Sequence, residues 1–175
     1  MAQDIQRAVI AVLIENESGA LARVVGLFSG RGYNIESLTV SAIDATRNLS
    51  RITIVTSGTE MVITQIKAQL ARLIPVHGVR DLTECGPHVA RELALIKVVS
   101  KGETRTEGMR IAQAFRAHAV DTTAGSFVFE LTGSAEKIDA FVELMQPLGL
   151  AEVSRTGIAA IGRGTEVFQS IEESF

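Results

Sequence analysis

An α+β chain of two tandem βαββαβ units is the fold class that this sequence predicts, and three observations predict it. Apolar residues fall either into short runs suited to strands or into i, i+3, i+4, i+7 stripes suited to helices. The order of these segments in the first half recurs in the second. Between the halves lies TECGPHVA, residues 83 to 90, which carries Gly86-Pro87 and no apolar period. The 175 residues therefore divide into a first domain at 1–83, a linker at 84–90, and a second domain at 91–175 that ends in a short tail.

In the first unit, RAVIAVLIEN is a near-continuous β-branched run and reads as a buried strand. Leu21, Val24, Val25 and Phe28 then mark one helix face, which GRG at 30 to 32 terminates. NIESLTVSAI places Leu38, Val40 and Ala42 on one side of a strand, and LSRITIVT does the same with Ile52 and Ile54. DATRN joins the two as a hairpin connection. Thr59 is placed to cap a helix with the stripe Ile63, Ile66, Leu70, Leu73 and Ile74, until Pro75 stops it and VHGVRDL supplies the last strand.

The second unit opens with RELALIKVVS as a strand, followed by a helix from about Thr106 to Ala117 marked by Ile111, Ala114, Phe115 and, at its end, His118. AVDTT and SFVFELT flank a short Ala124-Gly125 turn, with Phe127, Phe129 and Leu131 on one face. Ser134 caps a helix carrying Ile138, Phe141, Val142 and Met145. Pro147 and Gly149 break it, and LAEVSRTGIAAIG closes the unit as a strand. Each unit is thus ferredoxin-like: two helices cover one face of an antiparallel sheet and leave the other open for a partner.

Composition narrows the function. A hydrophobic content of 46% with 21% charged residues is that of an ordinary globular protein. Seventeen Lys and Arg against twenty Asp and Glu give a net charge of −3, far from the basic balance that phosphate-backbone binding exploits, so nucleic acid is not an expected partner. The start MAQDIQRAVI has no basic segment joined to a long apolar one, and no apolar run approaches the ~18 residues of a membrane helix. A cytoplasmic location without membrane contact is expected. Cys85, the single cysteine, allows neither an internal disulfide nor a cysteine-based zinc site and reads as a reduced thiol near the linker.

Catalytic chemistry finds no support. His77, His88 and His118 lack the i, i+4 spacing that aims two imidazoles at one metal. Glu15 and Glu17 share a face of an extended segment, but charged groups at a strand end read as solvated. GRG at 30 to 32 and at 162 to 164 matches neither phosphate-loop pattern, and no serine sits in a nucleophile elbow. No catalytic residue, metal ligand or cofactor site is assigned, and the chain is not expected to be an enzyme by itself.

Against this background the turn ENESGALARV, residues 15 to 24, stands out. A helix start offers unpaired N–H groups and a positive dipole end, which suit a carboxylate. Gly19 permits close approach. Asn16 and Asn34 offer an ammonium group an oxygen and a carboxylate an N–H donor without adding charge. On the turn alone a second reading stays open, in which Asn16 or Ser18 caps the helix and Gly19 eases the turn. Asn34, after GRGY, has its own alternative as a residue tolerating a left-handed turn.

The stretch from VLIENESGAL through LFSGRGYNIESLTV to LSRITIVT closely resembles the regulatory (small) subunits of acetolactate synthase, also called acetohydroxyacid synthase, whose N-terminal half is an ACT domain. The resemblance continues more loosely through HVARELALIKV, IDAFVELM and SRTGIAAIGRG. It implies that the chain makes no bond itself but joins a larger catalytic subunit carrying thiamine diphosphate, Mg²⁺ and FAD, raises its activity and confers feedback inhibition by L-valine in branched-chain amino acid synthesis. It also implies a homodimer with the effector between two ACT domains. One chain would contribute the turn and helix start, matching Asn16, Ser18, Gly19, Ala20 and Leu21, and the other the YNIE segment, matching Asn34 and Ile35. Two other functions fit the same fold. One is an ACT-domain sensor of a different amino-acid enzyme. The other is a nucleic-acid module, which requires Phe127 and Phe129 on the exposed sheet face.

Overall fold

The computed structural model describes residues 4–44, 46 and 48–168. Ala45 and Arg47 of the hairpin connection and residues 169–175 of the tail lie outside that range. The described chain forms two compact units, one comprising the residues up to Val89 together with those from Ile158 onward, the other Ala90–Gly157.

In the first unit the elements are β1 (Gln6–Glu15), α1 (Ala20–Arg31), β2 (Ser37–Asp44), β3 (Leu49–Gly58), α2 (Glu60–Leu70) and β4 (Val76–Asp81). The strands order as β2-β3-β1-β4, with every pairing antiparallel. The predicted βαββαβ order is therefore present. Thr59 caps α2 as expected, its Oγ1 accepting from the Val62 amide at 3.4 Å. The α2 helix stops at Leu70, so Ile74, expected on its apolar stripe, instead lies in the following turn and is 94% exposed.

One sheet face carries the core. Ile10, Val12, Ile14, Ile52 and Ile54 pack with Val24 and Phe28 of α1 and Ile63, Ile66 and Leu70 of α2. The other face was expected to be open, and it is not. Val9, Ala11, Leu13 and Val55 alternate with the core residues along the same strands, yet all are buried. The segment after Gly157 explains this. Expected to continue the last strand of the second domain, it runs back over the first sheet. The Ile158 amide donates to Ser37 Oγ at 2.9 Å, Thr39 Oγ1 donates to the Ile158 carbonyl at 3.0 Å, and Arg51 donates to the Ala160 carbonyl at 2.7 Å. Ser37, Thr39 and Arg51 are the residues of β2 and β3 that point away from the helices, so this segment takes the place expected for a partner.

The second unit runs β5 (His88–Val99), α3 (Gly102–Phe115), β6 (His118–Thr122), β7 (Ser126–Gly133), α4 (Ala135–Met145), a 3₁₀ turn at Gln146–Leu148 and β8 (Leu150–Arg155). Its strands order as β6-β7-β5-β8, the same topology as the first sheet, whereas a short β9 (Ala159–Gly162) belongs to the first unit. Ser134 caps α4 through the Lys137 amide at 3.4 Å. The α3 helix begins four residues earlier than expected and ends at Arg116 in the left-handed region, so His118 opens β6 rather than closing the helix.

Ala94, Ile96 and Val98 pack beneath α3 and α4 with Phe127, Phe129, Leu131, Ile138 and Phe141. Between them Leu95 and Val99 are exposed, so β5 alternates as a strand with one face solvated. Gly149, at φ +102°, makes the return into β8 possible. A Cβ there would stand 2.1 Å from the carbonyl oxygen of Val99, whose amide donates to the Gly149 carbonyl at 2.8 Å. No helix among the described residues is long and apolar enough to cross a membrane.

Candidate functional site

The turn between β1 and α1 owes its shape to a left-handed glycine. Gly19 occupies the N-cap position of α1 at φ +87°, ψ −8°, and no side chain caps the helix. The alternative reading of Asn16 or Ser18 as the cap is therefore not the geometry that forms. A Cβ at Gly19 would meet nothing within 4 Å, so glycine is required there by its backbone angle and leaves open space above the helix start.

Three hydrogen bonds hold the turn in place. The Glu15 amide donates to the Pro75 carbonyl at 2.8 Å, the Asn16 amide to the Asn48 carbonyl at 2.7 Å, and the Ala20 amide to the Glu17 carbonyl at 3.2 Å. The Gly19 carbonyl already accepts from Arg23 at 3.0 Å, as the first bond of α1. The amides of Gly19, Leu21 and Ala22 donate to no acceptor among the described residues, so several donors at the positive end of the helix dipole remain for an anion. Asn16, Ser18 and Gly19 are exposed, Ala20 is buried against the core, and Leu21 is 40% exposed on the same helix face as Val25.

Asn34 and Ile35 lie elsewhere. Gly32 closes α1 in the left-handed region, and the Tyr33 amide returns to the Phe28 carbonyl at 3.0 Å. The Asn34 carbonyl then accepts from Thr56 Oγ1 at 2.6 Å, and the Glu36 amide donates to the Val55 carbonyl at 2.8 Å. The Asn34 side chain stays exposed, and Ile35 is partly buried against the core. Asn34 has no left-handed backbone angle, so the turn-tolerance reading does not apply to it.

The two groups of predicted residues therefore stand at opposite ends of one sheet. Thr56, which holds Asn34, pairs with Ala8, whereas Leu49 pairs with Glu15 at the foot of the turn. Seven residue steps along β3, from Leu49 to Thr56, separate these pairs, about 23 Å at strand rise. A single chain brings Asn16 to Leu21 together and brings Asn34 to Ile35 together, but it does not bring the two groups together.

Around the turn the charged residues are paired at the surface. Glu17 binds Arg23 at 3.2 Å, and Glu15 reaches His77 Nε2 at 3.2 Å. Glu15 and Glu17 thus have separate side-chain partners rather than forming an acid/base pair. No cluster of three or more metal-ligating side chains occurs among the described residues. Phe127 and Phe129, the aromatic pair that a nucleic-acid platform would need, are 4% and 0% exposed within the second core.

Three features escaped sequence reasoning. Asn48 anchors the turn from the β2–β3 hairpin at φ +51°. The segment 158–168 covers the first sheet. Phe168 of the tail lies against two guanidinium groups, Arg80 at 5.0 Å and Arg51 at 5.6 Å from its ring centre. Burial lowers the Arg51 pKa, and the neighbouring Arg80 lowers it further. The continuous apolar run Ala8–Ile14 was the signal available for the covered face, since burial on both sides removes alternation.

Comparison with known proteins gives a consistent result. Residues 10–78 match the family model described as the AHAS small subunit-like ACT domain, and residues 91–164 match the small subunit of acetolactate synthase. The chain is 43% identical over 164 residues to the acetolactate synthase isozyme 3 small subunit of Salmonella typhimurium, covering 93% of this chain and 99% of that one. It is 46% identical over 157 residues to the probable acetolactate synthase small subunit of Archaeoglobus fulgidus, covering 90% and 97%. The crystal structure of the acetolactate synthase small subunit from Thermotoga maritima superimposes with a TM-score of 0.81 at 34% identity, over 92% of this chain and 99% of that one.

Proposed function

The chain belongs to the family of acetolactate synthase small subunits, and we propose that it acts there as a valine sensor whose binding site is completed only by a second copy of itself. The observation that carries this reading is the separation of the two half-sites. Between them runs β2, the edge strand of the first sheet, which is free to pair with another strand. Val40 on that strand is exposed, as are Leu21 and Val25 on α1. Antiparallel pairing of two β2 strands about a two-fold axis sets the start of one against the end of the other. That pairing carries Asn34 and Ile35 of the second copy to the Gly19 turn of the first, and the reverse, giving two equivalent sites.

At each site the free amides of the α1 start take the carboxylate of the amino acid. Asn16 and Asn34 serve its ammonium and carboxylate groups without adding net charge. Leu21 and Ile35 border the side chain. Burying an isopropyl group there contributes about 1.5–3 kcal/mol, and size discrimination of about 1–3 kcal/mol per methylene lets leucine and isoleucine bind more weakly.

This chain performs no chemistry in the proposal. The catalytic subunit carries thiamine diphosphate, Mg²⁺ and FAD, and the small subunit raises its activity. Valine inhibits by binding one of two states of the assembly more tightly than the other, because an effector of equal affinity for both shifts nothing.

Isothermal titration of the full chain with L-valine, with L-alanine and D-valine as controls, tests the reading. Selective, saturable binding supports it. Absence of binding by folded, dimeric protein refutes a site built by this chain alone.

A further inference from the structure

The first unit holds a concave site that shares no residue with the Gly19 turn. A cavity of about 340 Å³ opens between the end of β4, the turn at Cys85–Pro87 and the loop Gly162–Glu166. That loop is fastened by the Arg163 amide, which donates to the Pro87 carbonyl at 3.0 Å. Arg80 and Arg163 line the cavity, and neither forms an ion pair with a described residue. Outside the cavity, Arg51 lies against the same Phe168 ring as Arg80, and the two like charges are close enough that Arg80 adds to burial in lowering the Arg51 pKa. Two guanidinium groups with no carboxylate partner among the described residues thus share the cavity wall with one carboxylate, Glu166. Such a gathering costs electrostatic energy unless an anion offsets it.

The backbone is shaped for the same purpose. Gly86 and Gly164 adopt φ +114° and +90°, and a Cβ on either, or on Gly162, would meet nothing within 4 Å. The amides of Gly164, Thr165 and Glu166 donate to no acceptor among the described residues. Left-handed glycines in a loop with free N–H groups form concavities suited to anions. Guanidinium forks match tetrahedral oxyanions bidentately, and the combined donors outnumber what a carboxylate's two oxygens can use. The volume lies at the lower end of small-molecule sites, about 300–1,000 Å³, and exceeds what a bare phosphate fills.

We propose that this cavity binds the phosphate or diphosphate group of a small molecule, as a second ligand site on the first unit, through Arg80, Arg163 and the amides of the Gly162–Glu166 loop.

Cys85 lies exposed on the cavity wall and is the only cysteine of the chain, which makes its alkylation by uncharged N-ethylmaleimide a direct readout. The rate is measured on the full chain at constant ionic strength against inorganic phosphate and against pyrophosphate, with binding heats of the same two anions. The expected result is saturable protection of Cys85, with Arg163→Gln weakening the half-saturating concentration roughly ten- to hundredfold. Arg80→Gln should weaken it similarly, whereas Arg72→Gln, an exposed arginine outside the cavity, should not. Protection by both anions assigns a single phosphoryl group, and protection by pyrophosphate alone assigns a diphosphate. The proposal is overturned if neither anion protects or gives heat, if potassium chloride reproduces the effect, or if both arginine variants protect as the parent does. Thermal unfolding and L-valine titration of each variant separate loss of this site from loss of the fold or of the effector reading.

Discussion

The backbone amide of Asn16 donates to the carbonyl of Asn48 at 2.7 Å, so the β1–α1 turn hangs from the β2–β3 hairpin rather than from its own helix. Asn48 makes this possible from a left-handed angle, φ +51°. Asn48→Gly should keep both stability and valine affinity. Asn48→Val should cost about 1–2 kcal/mol in backbone strain and weaken valine binding, as read by thermal unfolding and titration. Equal behaviour of the two variants would show that the bond does not position the turn.

Two glycines with similar angles should lose stability to different degrees on substitution. At Gly19 an added Cβ meets open space, so Gly19→Ala pays only the left-handed backbone cost of about 1–2 kcal/mol. At Gly149 the Cβ would run into the Val99 carbonyl at 2.1 Å, and Gly149→Ala should lose more than about 3 kcal/mol or fail to fold. Urea denaturation of both variants checks the contrast. Gly19→Asp should add one further effect: loss of valine binding by repulsion of the carboxylate, with association to the catalytic subunit retained.

Complementation tests the shared site directly. Gly19→Asp and Asn34→Asp homodimers should each fail to bind valine. In a mixed dimer one site carries both changes and the other carries neither. Mixing the two variants and allowing subunit exchange should therefore restore up to one site per mixed dimer. Recovery of no binding, with exchange verified by mass, would rule out a site divided between chains.

The dimer edge should be sensitive to charge. Val40 on β2 and Val25 on α1 are 43% and 38% exposed. Val25→Lys or Val40→Lys should weaken dimerisation by roughly tenfold or more while leaving the monomer folded, because a buried unpaired charge opposes association. Sedimentation over a concentration series measures it, and unchanged association constants would place the dimer contact elsewhere.

In the second unit Glu92 is 6% exposed and is paired with Arg155, which also binds Asp139 at 2.5 Å. These carboxylates raise the Arg155 pKa, chiefly through the hydrogen bond that Arg155 donates to Glu92. Arg155→Leu strands the Glu92 charge and should cost about 3–5 kcal/mol, whereas the double variant Arg155→Leu with Glu92→Leu should recover most of it. Urea midpoints decide the outcome. A double variant no more stable than the single one would mean that the pair is not the source of the loss.

Much of the fold was legible because its signals are local. The stripes Ile63-Ile66-Leu70 and Ile138-Phe141-Met145, with the caps Thr59 and Ser134, lie within a few residues of the groups they order, and all formed as expected. Ile74 and His118 were misplaced by extending a helical period past the point where the backbone turns. The seven buried residues Ala8–Ile14 hinted that both faces of the first sheet are covered, but a run of apolar residues names no partner.

The sequence by itself determined two βαββαβ units, their caps and breaks, the glycine-shaped turn at 19 and the absence of a catalytic motif. Neighbours along the chain decide these features through backbone angle and side-chain period. Only the tertiary structure decided that the turn and the Asn34 segment stand at opposite ends of one sheet. It alone also decided that residues 158–168 cover the face left open, and that Arg51, Arg80 and Phe168 meet. These relationships join positions as far apart as Arg51 and Ala160, separated by 109 residues. Contacts at that range depend on how whole elements pack, and no local pattern encodes them.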